Sequence, residues 1–401
     1  MVIKRLSKKD KDKIKDLFYY CFHVTDGWDW DSPKWEEYFD RLKFEDHLGY
    51  YENDELVSTY FIEHFHFYIR GVLMKMGGIA GVTTQPEYRR QRQVRKLALE
   101  SLKVMRENKQ FISALLPFKY SFYRKFGYEN CSEIPSIISS PSNILLPKDF
   151  LPLELKQVPV NESTFNLIMS LRNEYSEKYN NIIFKTYKEW LAFHVGKLNK
   201  IYVIFNNKNP EGYFITNLKS REGPWNVRLN ITRQLFGSED ARLTMFDFIK
   251  KHADQNKDFK LWLYGDEPFM DYFEELWDGD LTFSICGSAM YRIVDVKEAL
   301  QLLNYPKDLD FTFTLKLEDP TAPWNEEALE IIIKKGKATI KSYSGNKYDL
   351  QTDIKAFTQL FSGYRTINRL VILHKAQVNP EKLDLIDKAF PKCQTRLTTG
   401  F

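Results

Sequence analysis

The sequence of 401 residues has few cysteines, no long apolar run and no marked excess of charge of one sign. Its cysteines show no CxxC spacing, which argues against a disulfide framework and a structural zinc site: Cys21, Cys131, Cys286 and Cys393. No run of about 18 apolar residues occurs, so no membrane-spanning helix is predicted. The N-terminus is basic but leads into no apolar segment, so we expect no secretory signal and a cytoplasmic protein.

The charge balance and the missing motifs exclude several classes of function. The 58 basic and 54 acidic residues leave a net charge of +4, so we expect neither nucleic acid nor a membrane as a partner, and any anion site is local. Gly-x-Ser-x-Gly, Walker and Rossmann patterns are absent, which leaves nucleophilic hydrolysis and nucleotide hydrolysis without support. His64 and His66 alternate on a predicted strand, but no third ligand has suitable spacing, and we expect no metal.

The residues that are present predict a compact chain with more than one domain. Hydrophobic residues make up 43% and aromatic residues 15%, and a single core rarely extends beyond about 250 to 300 residues. Hydrophobic periodicity predicts the order β-α-β-β-β-α-β-α-β for the first region. Prolines then mark a boundary at Pro141, Pro147 and Pro152, after which a similar order returns without the basic turn described next.

A basic turn follows the predicted strand that ends at Thr84. Four arginines surround the predicted start of a helix near Gln93: Arg89, Arg90, Arg92 and Arg95. The free N–H groups and the dipole of a helix start both favour phosphate, so the pattern indicates an anion site. A solvated basic helix start would show the same pattern.

Two segments resemble motifs of the GNAT acetyltransferases. The strand, turn and helix around residues 82–95 resemble the acetyl-CoA loop of that family, and Ser121-Phe122-Tyr123-Arg124-Lys125-Phe126-Gly127-Tyr128 matches its pattern Phe-Tyr-x-Lys-x-Gly-Phe/Tyr. In the family, an Arg/Gln-x-x-Gly-x-Gly/Ala turn wraps the pyrophosphate with backbone amides. Arg89 occupies the first position here, whereas Arg92 and Val94 stand where the family has glycine.

The resemblance implies acetyl-CoA as co-substrate and assigns residues to it. The backbone amide of Val82 would polarise the acetyl carbonyl, and the phosphates would lie at residues 91–95. The implied cofactor-binding residues are Val82, Thr84, Arg89, Arg90, Gln91, Arg92, Val94 and Arg95. The resemblance also implies that Tyr123 donates a proton to the departing thiolate of CoA. For such a tyrosine taken alone, packing between a short helix and the sheet is the alternative, and Tyr128 is expected in the core.

The end of the chain resembles the Eis family of GNAT proteins. In that family the final phenylalanine enters the N-terminal domain and offers its α-carboxylate as a base, which implies this role for Phe401. Because a free α-carboxyl is a weak base, we expect it to position the amine and accept its proton as the new bond forms. Eis enzymes that acetylate aminoglycosides carry an acidic residue before the final Phe, where this chain has Gly400.

The resemblance also implies an amine pocket near residue 26. Asp26 matches an acidic residue that lines the pocket in Eis enzymes, although an Asp before Gly is also a common turn residue. Trp28 and Trp30 would present ring faces to a cationic amine, or would belong to the core.

As a whole, the resemblance implies an α+β fold with tandem GNAT-like domains, whose mixed central sheets are flanked by helices, and a C-terminal sterol-carrier-like α+β domain. We expect the domains at residues 1–150, 151–288 and 289–401. The implied function is direct N-acetylation of a primary amine of an aminoglycoside, a polyamine or a lysine-like substrate, and the implied assembly is a homo-hexamer. A CoA- or lipid-binding scaffold with weak or no catalysis is the alternative.

Overall fold

A computed structural model describes residues 2–22, 38–40, 42–176, 179–184, 186–193, 199–221, 226–263 and 269–395. The chain forms two compact units, each described by itself below. The first unit comprises residues up to Cys131 together with Ala289–Cys393, and the second comprises Ser132–Ser288 with Gln394 and Thr395. The predicted domain boundaries at residues 150 and 288 stay a prediction.

The strands and helices are named in chain order. The strands are β1 Val2–Arg5, β2 Leu48–Glu52, β3 Glu55–Ile69, β4 Val72–Thr84, β5 Ile112–Leu115, β6 Glu129–Asn130, β7 Glu133–Ser139, β8 Glu154–Val158, β9 Tyr179–Ile183, β10 Lys200–Asn206, β11 Asn209–Ser220, β12 Val227–Phe236, β13 Asp258–Trp262, β14 Leu281–Gly287, β15 Met290–Ile293, β16 Phe311–Glu318, β17 Leu329–Lys334, β18 Lys337–Ser342, β19 Leu350–Asp353, β20 Ala376–Val378 and β21 Gln394–Thr395. The α-helices are α1 Lys11–Phe22, α2 Gln93–Glu107, α3 Tyr120–Tyr123, α4 Glu162–Ser176, α5 Tyr187–Phe193, α6 Glu239–Lys250, α7 Val296–Leu302, α8 Ile354–Phe361, α9 Ile367–Ile372 and α10 Leu383–Ala389.

The larger sheet of the first unit has its strands in the order β1-β2-β3-β4-β5-β15-β6. The long β3–β4 hairpin forms its centre, because alternating side chains of β3 are buried on both faces. Phe61 packs with Phe18 of α1 on one face, whereas Tyr60 and Ile62 pack with Leu97 of α2 on the other. The apolar stripe of α2 faces this second cluster.

One strand of this sheet comes from a distant part of the sequence. β15 lies between β5 and β6 and is antiparallel to both, with Tyr291 opposite Ala114 on one side and Glu129 on the other. The chain therefore returns, after the whole second unit, to complete the sheet of the first. Local sequence patterns carry no signal for this pairing.

The smaller sheet of the first unit contains five strands in the order β18-β17-β16-β19-β20. β16 is parallel to β19 and antiparallel to β17. Helix α8 buries Phe357, Leu360 and Phe361. The helix α9 and the strands β19 and β20 are short, with 6, 4 and 3 residues.

The second unit contains a seven-stranded sheet in the order β14-β7-β13-β12-β11-β10-β8. β12 and β13 are parallel, and all other neighbours are antiparallel. Helix α6 contributes Met245, Phe246 and Ile249 to its core. Within both units, none of the helices in the described ranges has the length and apolar character needed to cross a bilayer.

Candidate active site

The site begins where strands β4 and β5 stop pairing. The two strands are parallel from Met76 opposite Ile112 to Ile79 opposite Leu115. β5 ends there, and Pro117 follows two residues later, whereas β4 continues to Thr84. In the described part of the chain, no strand pairs with the last residues of β4 on the β5 side. The result is a wedge between the strands with free backbone groups along one wall.

A β-bulge shapes this wall. The β3–β4 ladder pairs Thr59 with Thr83 and Phe61 with Ala80, so two residues of β4, Gly81 and Val82, lie opposite one residue of β3. Such bulges re-aim the backbone and are frequent next to active sites.

Glycine is required at position 81 for two reasons. Its φ of +51° is the left-handed conformation, which costs a residue with a Cβ about 1 to 2 kcal/mol. A Cβ at this position would also lie 2.6 Å from Phe18 and 2.8 Å from Phe61. The bulge therefore depends on Gly81.

Two buried hydroxyls that the sequence analysis did not identify hold the bulge in place. Thr59 Oγ1 donates to the carbonyl of Gly81 at 2.6 Å, and Ser58 Oγ donates to the carbonyl of Thr83 at 2.5 Å. Ser58 Oγ is also 2.9 Å from the hydroxyl of Thr84. The Thr84 hydroxyl is already hydrogen-bonded within the protein. A ligand would therefore contact the backbone of Thr84.

The basic turn and the start of α2 combine features that favour an anion. The first intrahelical bond runs from the N–H of Lys96 to the carbonyl of Arg92 at 3.1 Å, so the N–H groups of Gln93, Val94 and Arg95 take no part in helix bonding. The first turn contains no acidic residue, and no side chain caps it. The helix dipole and the exposed side chains nearby therefore both favour a negative charge at this position. These side chains are Arg89, Arg90, Gln91, Arg92 and Arg95.

The backbone explains why the family has glycine at position 92. Arg92 has φ +69° and Arg90 has φ +62°, the left-handed region in which glycine carries no Cβ penalty. The turn thus keeps the conformation of a glycine-containing loop although arginine occupies the position. Val94 lies within α2 and is half-buried, so its position needs no special φ.

Replacing Arg92 with glycine is expected to raise the free energy of unfolding by up to about 1 kcal/mol. Removing left-handed strain gains about 1 to 2 kcal/mol, and the greater freedom of glycine in the unfolded chain offsets part of this. Urea unfolding measures the change. Arg95→Gly is the matched control, because it removes the same charge inside a helix, where glycine costs about 1 kcal/mol. Equal destabilisation by both variants would contradict the strain argument.

The second unit has a related strand and helix without the anion site. Its parallel pair β12–β13 accompanies helix α6, whose start is capped by the Ser238 side chain. Glu239 and Asp240 occupy the first turn. Two carboxylates and a satisfied cap oppose phosphate binding there, so the first unit is the one equipped for a pyrophosphate.

Tyr123 ends the short helix α3, which a 3-10 turn, Arg124–Phe126, extends to Gly127 at φ +83°. The Tyr123 ring is only 4% exposed and packs edge-to-face against Phe122 at 5.1 Å. Tyr123 belongs to the same hydrophobic cluster as the last paired residues of the wedge, Ile79 and Leu115.

The hydroxyl of Tyr123 has no hydrogen-bond partner among the described residues. Burial, and secondarily the neighbouring Tyr128, raise the pKa of Tyr123 above its usual value of 10.0. The group therefore stays protonated at neutral pH, as a proton donor requires.

Tyr128 differs from Tyr123 in this respect. Its hydroxyl lies 2.7 Å from Ser113 Oγ, which in turn donates to the carbonyl of Gly77 at 2.8 Å. The side chain is buried in the core, as predicted. Its hydroxyl links β4, β5 and the segment after Gly127.

Several predicted site residues lie outside the described residues. These are Asp26, Trp28, Trp30 and Phe401, so their roles stay predictions. His64, considered above as a metal ligand, has Nε2 3.1 Å from Asp46 Oδ2 and Nδ1 3.0 Å from Gln110 Nε2. No group of three or more metal-ligating side chains occurs within the described ranges.

Comparison with known families identifies the two parts of the first unit. Residues 2–131 match the acetyltransferase (GNAT) domain family, and residues 296–397 match the sterol carrier protein domain family. This chain carries a GNAT acetyltransferase domain. The GNAT fold generally uses acetyl-CoA, and GNAT enzymes act on amines of small molecules or peptides, so the family match supports acetyl transfer as the general chemistry.

Solved structures share the fold over the whole length. A GCN5-related N-acetyltransferase from Anabaena variabilis is 21% identical, with a TM-score of 0.85 and 100% of both chains covered. A probable N-acyltransferase from Enterococcus faecalis is 23% identical, with a TM-score of 0.86 and coverage of 100% of this chain and 99% of that chain. Eis1 from Mycobacterium abscessus is 15% identical, with a TM-score of 0.79 and 100% of both chains covered. No curated protein sequence matches the chain.

These comparisons confirm the Eis-like GNAT architecture and the predicted fold class, with GNAT domains of mixed sheets and helices and a C-terminal sterol-carrier-type domain. They confirm the enzyme class, a GNAT-type acetyltransferase. At sequence identities of 15% to 23%, the structural matches establish the fold alone. The substrate and the role of each residue in the GNAT domain are proposed below.

Proposed function

We propose that this chain transfers the acetyl group of acetyl-CoA directly to a primary amine. The observation that carries the proposal is the protonated hydroxyl of the buried Tyr123 side chain, which has no partner among the described residues. The side chain belongs to one packed cluster with Ile79 and Leu115, the last paired residues of β4 and β5. A protonated donor without a hydrogen-bond partner there suits a reaction that expels an anion.

The first unit fits acetyl-CoA as co-substrate. The unpaired amides at the start of α2 and the surrounding charges would hold its phosphates; this group comprises Arg89, Arg90, Gln91, Arg92, Val94 and Arg95. The bulge would turn the backbone at Val82 into the wedge, where its N–H would polarise the acetyl carbonyl, and the backbone of Thr84 would line the same wall. When bound, acetyl-CoA supplies an activated thioester.

The remaining chemistry is proton handling by side chains and the last residue. The amine nitrogen bonds to the carbonyl carbon, the carbon–sulfur bond breaks, and Tyr123 gives its proton to the sulfur. The α-carboxylate of Phe401 takes the proton that the amine loses. Since the two substrates react while bound together, proximity contributes much of the rate and no covalent enzyme intermediate is needed.

The acceptor would be an aminoglycoside, a polyamine or a lysine-like amine. Asp26 would pair with a positive charge of such an acceptor, and Trp28 and Trp30 would offer ring faces to it. Gly400 replaces the acidic residue that aminoglycoside-acetylating Eis enzymes carry before the final Phe, which favours polyamines and lysine-like amines. A cytoplasmic hexamer, as implied by the Eis resemblance, completes the proposal.

Release of free thiol from acetyl-CoA tests this proposal. The full chain is incubated with acetyl-CoA and with polyamines, aminoglycosides or lysine peptides, and the products are weighed by mass spectrometry. We expect amine-dependent thiol release and a product carrying an added acetyl group. Calorimetry with CoA is the control. Binding of CoA without amine-dependent release would instead support a CoA-binding scaffold, and absence of CoA binding would refute the proposed function.

A further inference from the structure

A fully buried ion pair lies close to the Tyr123 segment. Arg292 of β15 and Asp319, in the sterol carrier protein domain, are both 0% exposed, and Arg292 Nη2 is 2.9 Å and 2.8 Å from the two carboxylate oxygens. A buried pair of this kind is costly unless its remaining hydrogen-bonding positions are also filled. It therefore needs a reason beyond stability.

The other end of the guanidinium reaches the Tyr123 segment. Arg292 Nη1 donates to the carbonyl of Phe126 at 2.8 Å. Phe126 is the last residue of the 3-10 turn that follows Tyr123 directly. A rigid guanidinium fork thus joins this turn to a carboxylate far away in the sequence.

Asp319 is itself held firmly. Its carboxylate accepts from the Thr321 hydroxyl at 2.8 Å and from Asn325 Nδ2 at 2.9 Å, in addition to Arg292. Each oxygen therefore has more than one donor. The donors other than Arg292 orient the carboxylate independently of the guanidinium. The hydrogen bonds within the sterol carrier protein domain therefore also restrict the orientation of the Arg292 guanidinium.

Gly127 shows how closely Arg292 approaches. A Cβ at this glycine would lie 1.5 Å from Arg292 Nη1. The glycine of the Phe-Tyr-x-Lys-x-Gly-Tyr segment therefore leaves room for the guanidinium as well as adopting φ +83°. Two independent features of the turn, the Phe126 carbonyl and the missing side chain at Gly127, accommodate Arg292.

We propose that Arg292, oriented by Asp319, is a positioning residue for Tyr123, and that the sterol-carrier-type domain thereby fixes the direction of the acid's hydroxyl. This inference rests on the proposed role of Tyr123. Without the bond to Phe126, the 3-10 turn relaxes and the hydroxyl leaves its place in the wedge. A displacement of about 1 Å costs on the order of 100-fold in rate.

The test uses Arg292→Lys and Asp319→Asn in the full chain. Lysine keeps the positive charge beside Asp319, but its single nitrogen cannot serve Phe126 and Asp319 together. We expect kcat to fall about 10- to 100-fold, with KM for acetyl-CoA within about threefold, because the phosphate-binding turn is untouched. Unchanged kcat in folded Arg292→Lys would overturn the proposal, and this variant serves if Asp319→Asn does not fold.

Arg106→Gln is the matched control. Arg106 Nε lies 2.6 Å from Asp295 Oδ2, an ion pair that joins α2 to the residues after β15 without touching the Tyr123 turn. Its loss is expected to leave kcat within about twofold of wild type, as is usual for a partly exposed pair. If Arg106→Gln lowered kcat as much as Arg292→Lys, the loss of activity would not depend on the contact between Arg292 and the Tyr123 turn. That result would refute the proposal.

A double variant separates this inference from the proposed function. If Arg292 acts through Tyr123, Arg292→Lys adds little further loss of kcat in a Tyr123→Phe background. Additive losses would refute the inference. If Tyr123→Phe alone keeps the wild-type rate, the proposed role of Tyr123 fails. Hydrogen exchange of the Gly127 amide, which donates to the Arg124 carbonyl at 3.2 Å, then tests positioning directly: unchanged protection in Arg292→Lys would refute it.

Discussion

Replacing Tyr123 with phenylalanine is expected to lower kcat by about 100-fold or more while leaving the free energy of unfolding unchanged. General acids contribute about 10²- to 10⁴-fold to a rate, and the thiolate would have to leave without its proton donor. The hydroxyl has no hydrogen-bond partner among the described residues, so its removal breaks no contact there. Steady-state kinetics and urea unfolding of the same preparation measure both quantities.

Tyr128→Phe is the matched control and is expected to show the opposite pattern. Its ring is as deeply buried as that of Tyr123, but its hydroxyl is bonded to Ser113. Loss of that bond costs about 0.5 to 1.5 kcal/mol, since Ser113 Oγ keeps its bond to the Gly77 carbonyl, whereas kcat of the folded protein stays near wild type. A loss of activity in Tyr128→Phe with none in Tyr123→Phe would show that the acid has been assigned to the wrong tyrosine.

Gly127→Ala is expected to lower the free energy of unfolding by about 4 kcal/mol or more. The left-handed backbone at φ +83° costs alanine about 1 to 2 kcal/mol. The new Cβ also forces Arg292 Nη1 away from the Phe126 carbonyl and disturbs its pair with Asp319, and a broken buried pair costs about 3 to 5 kcal/mol. Urea unfolding and the yield of soluble protein report the effect.

Gly279→Ala separates the two causes. Gly279 also has a positive φ, +102°, but a Cβ there would meet nothing within 4 Å. We therefore expect a loss from backbone strain alone, about 1 to 3 kcal/mol, and clearly less than for Gly127→Ala. Equal losses would mean that the approach of Arg292 to Gly127 adds nothing to stability.

The parts of the site that the sequence predicts are those encoded by neighbouring residues. The apolar stripe of α2 recurs with helical spacing, and the Tyr123 helix is closed by a glycine, so both elements could be located from local patterns. The anion site was also predictable, because the arginines adjoin the helix start. β5 ends two residues before Pro117, a residue type that cannot continue a strand ladder.

Other parts of the site depend on contacts that no local pattern reports. The serine and threonine that hold the bulge, Ser58 and Thr59, read as ordinary residues of a strand, since their hydroxyls matter only opposite Gly81 and Thr83. The left-handed φ of Arg92 was concealed because the residue is not glycine. Short elements such as α9 and β20 gave too few residues for a periodic signal.

Amino-acid order alone established the alternation of strands and helices and the basic helix start, because each of these is encoded by residues a few positions apart. Tyr123 as the candidate acid and the α+β fold class came from the resemblance of short motifs to the GNAT family. Folding in three dimensions decided that β15 enters the first sheet and that Arg292 lies beside Gly127 and Phe126. Arg292 and Phe126 are 166 residues apart in the sequence. Residues so distant come into contact through the packing of whole sheets, and local spacing and periodicity carry no information about such contacts.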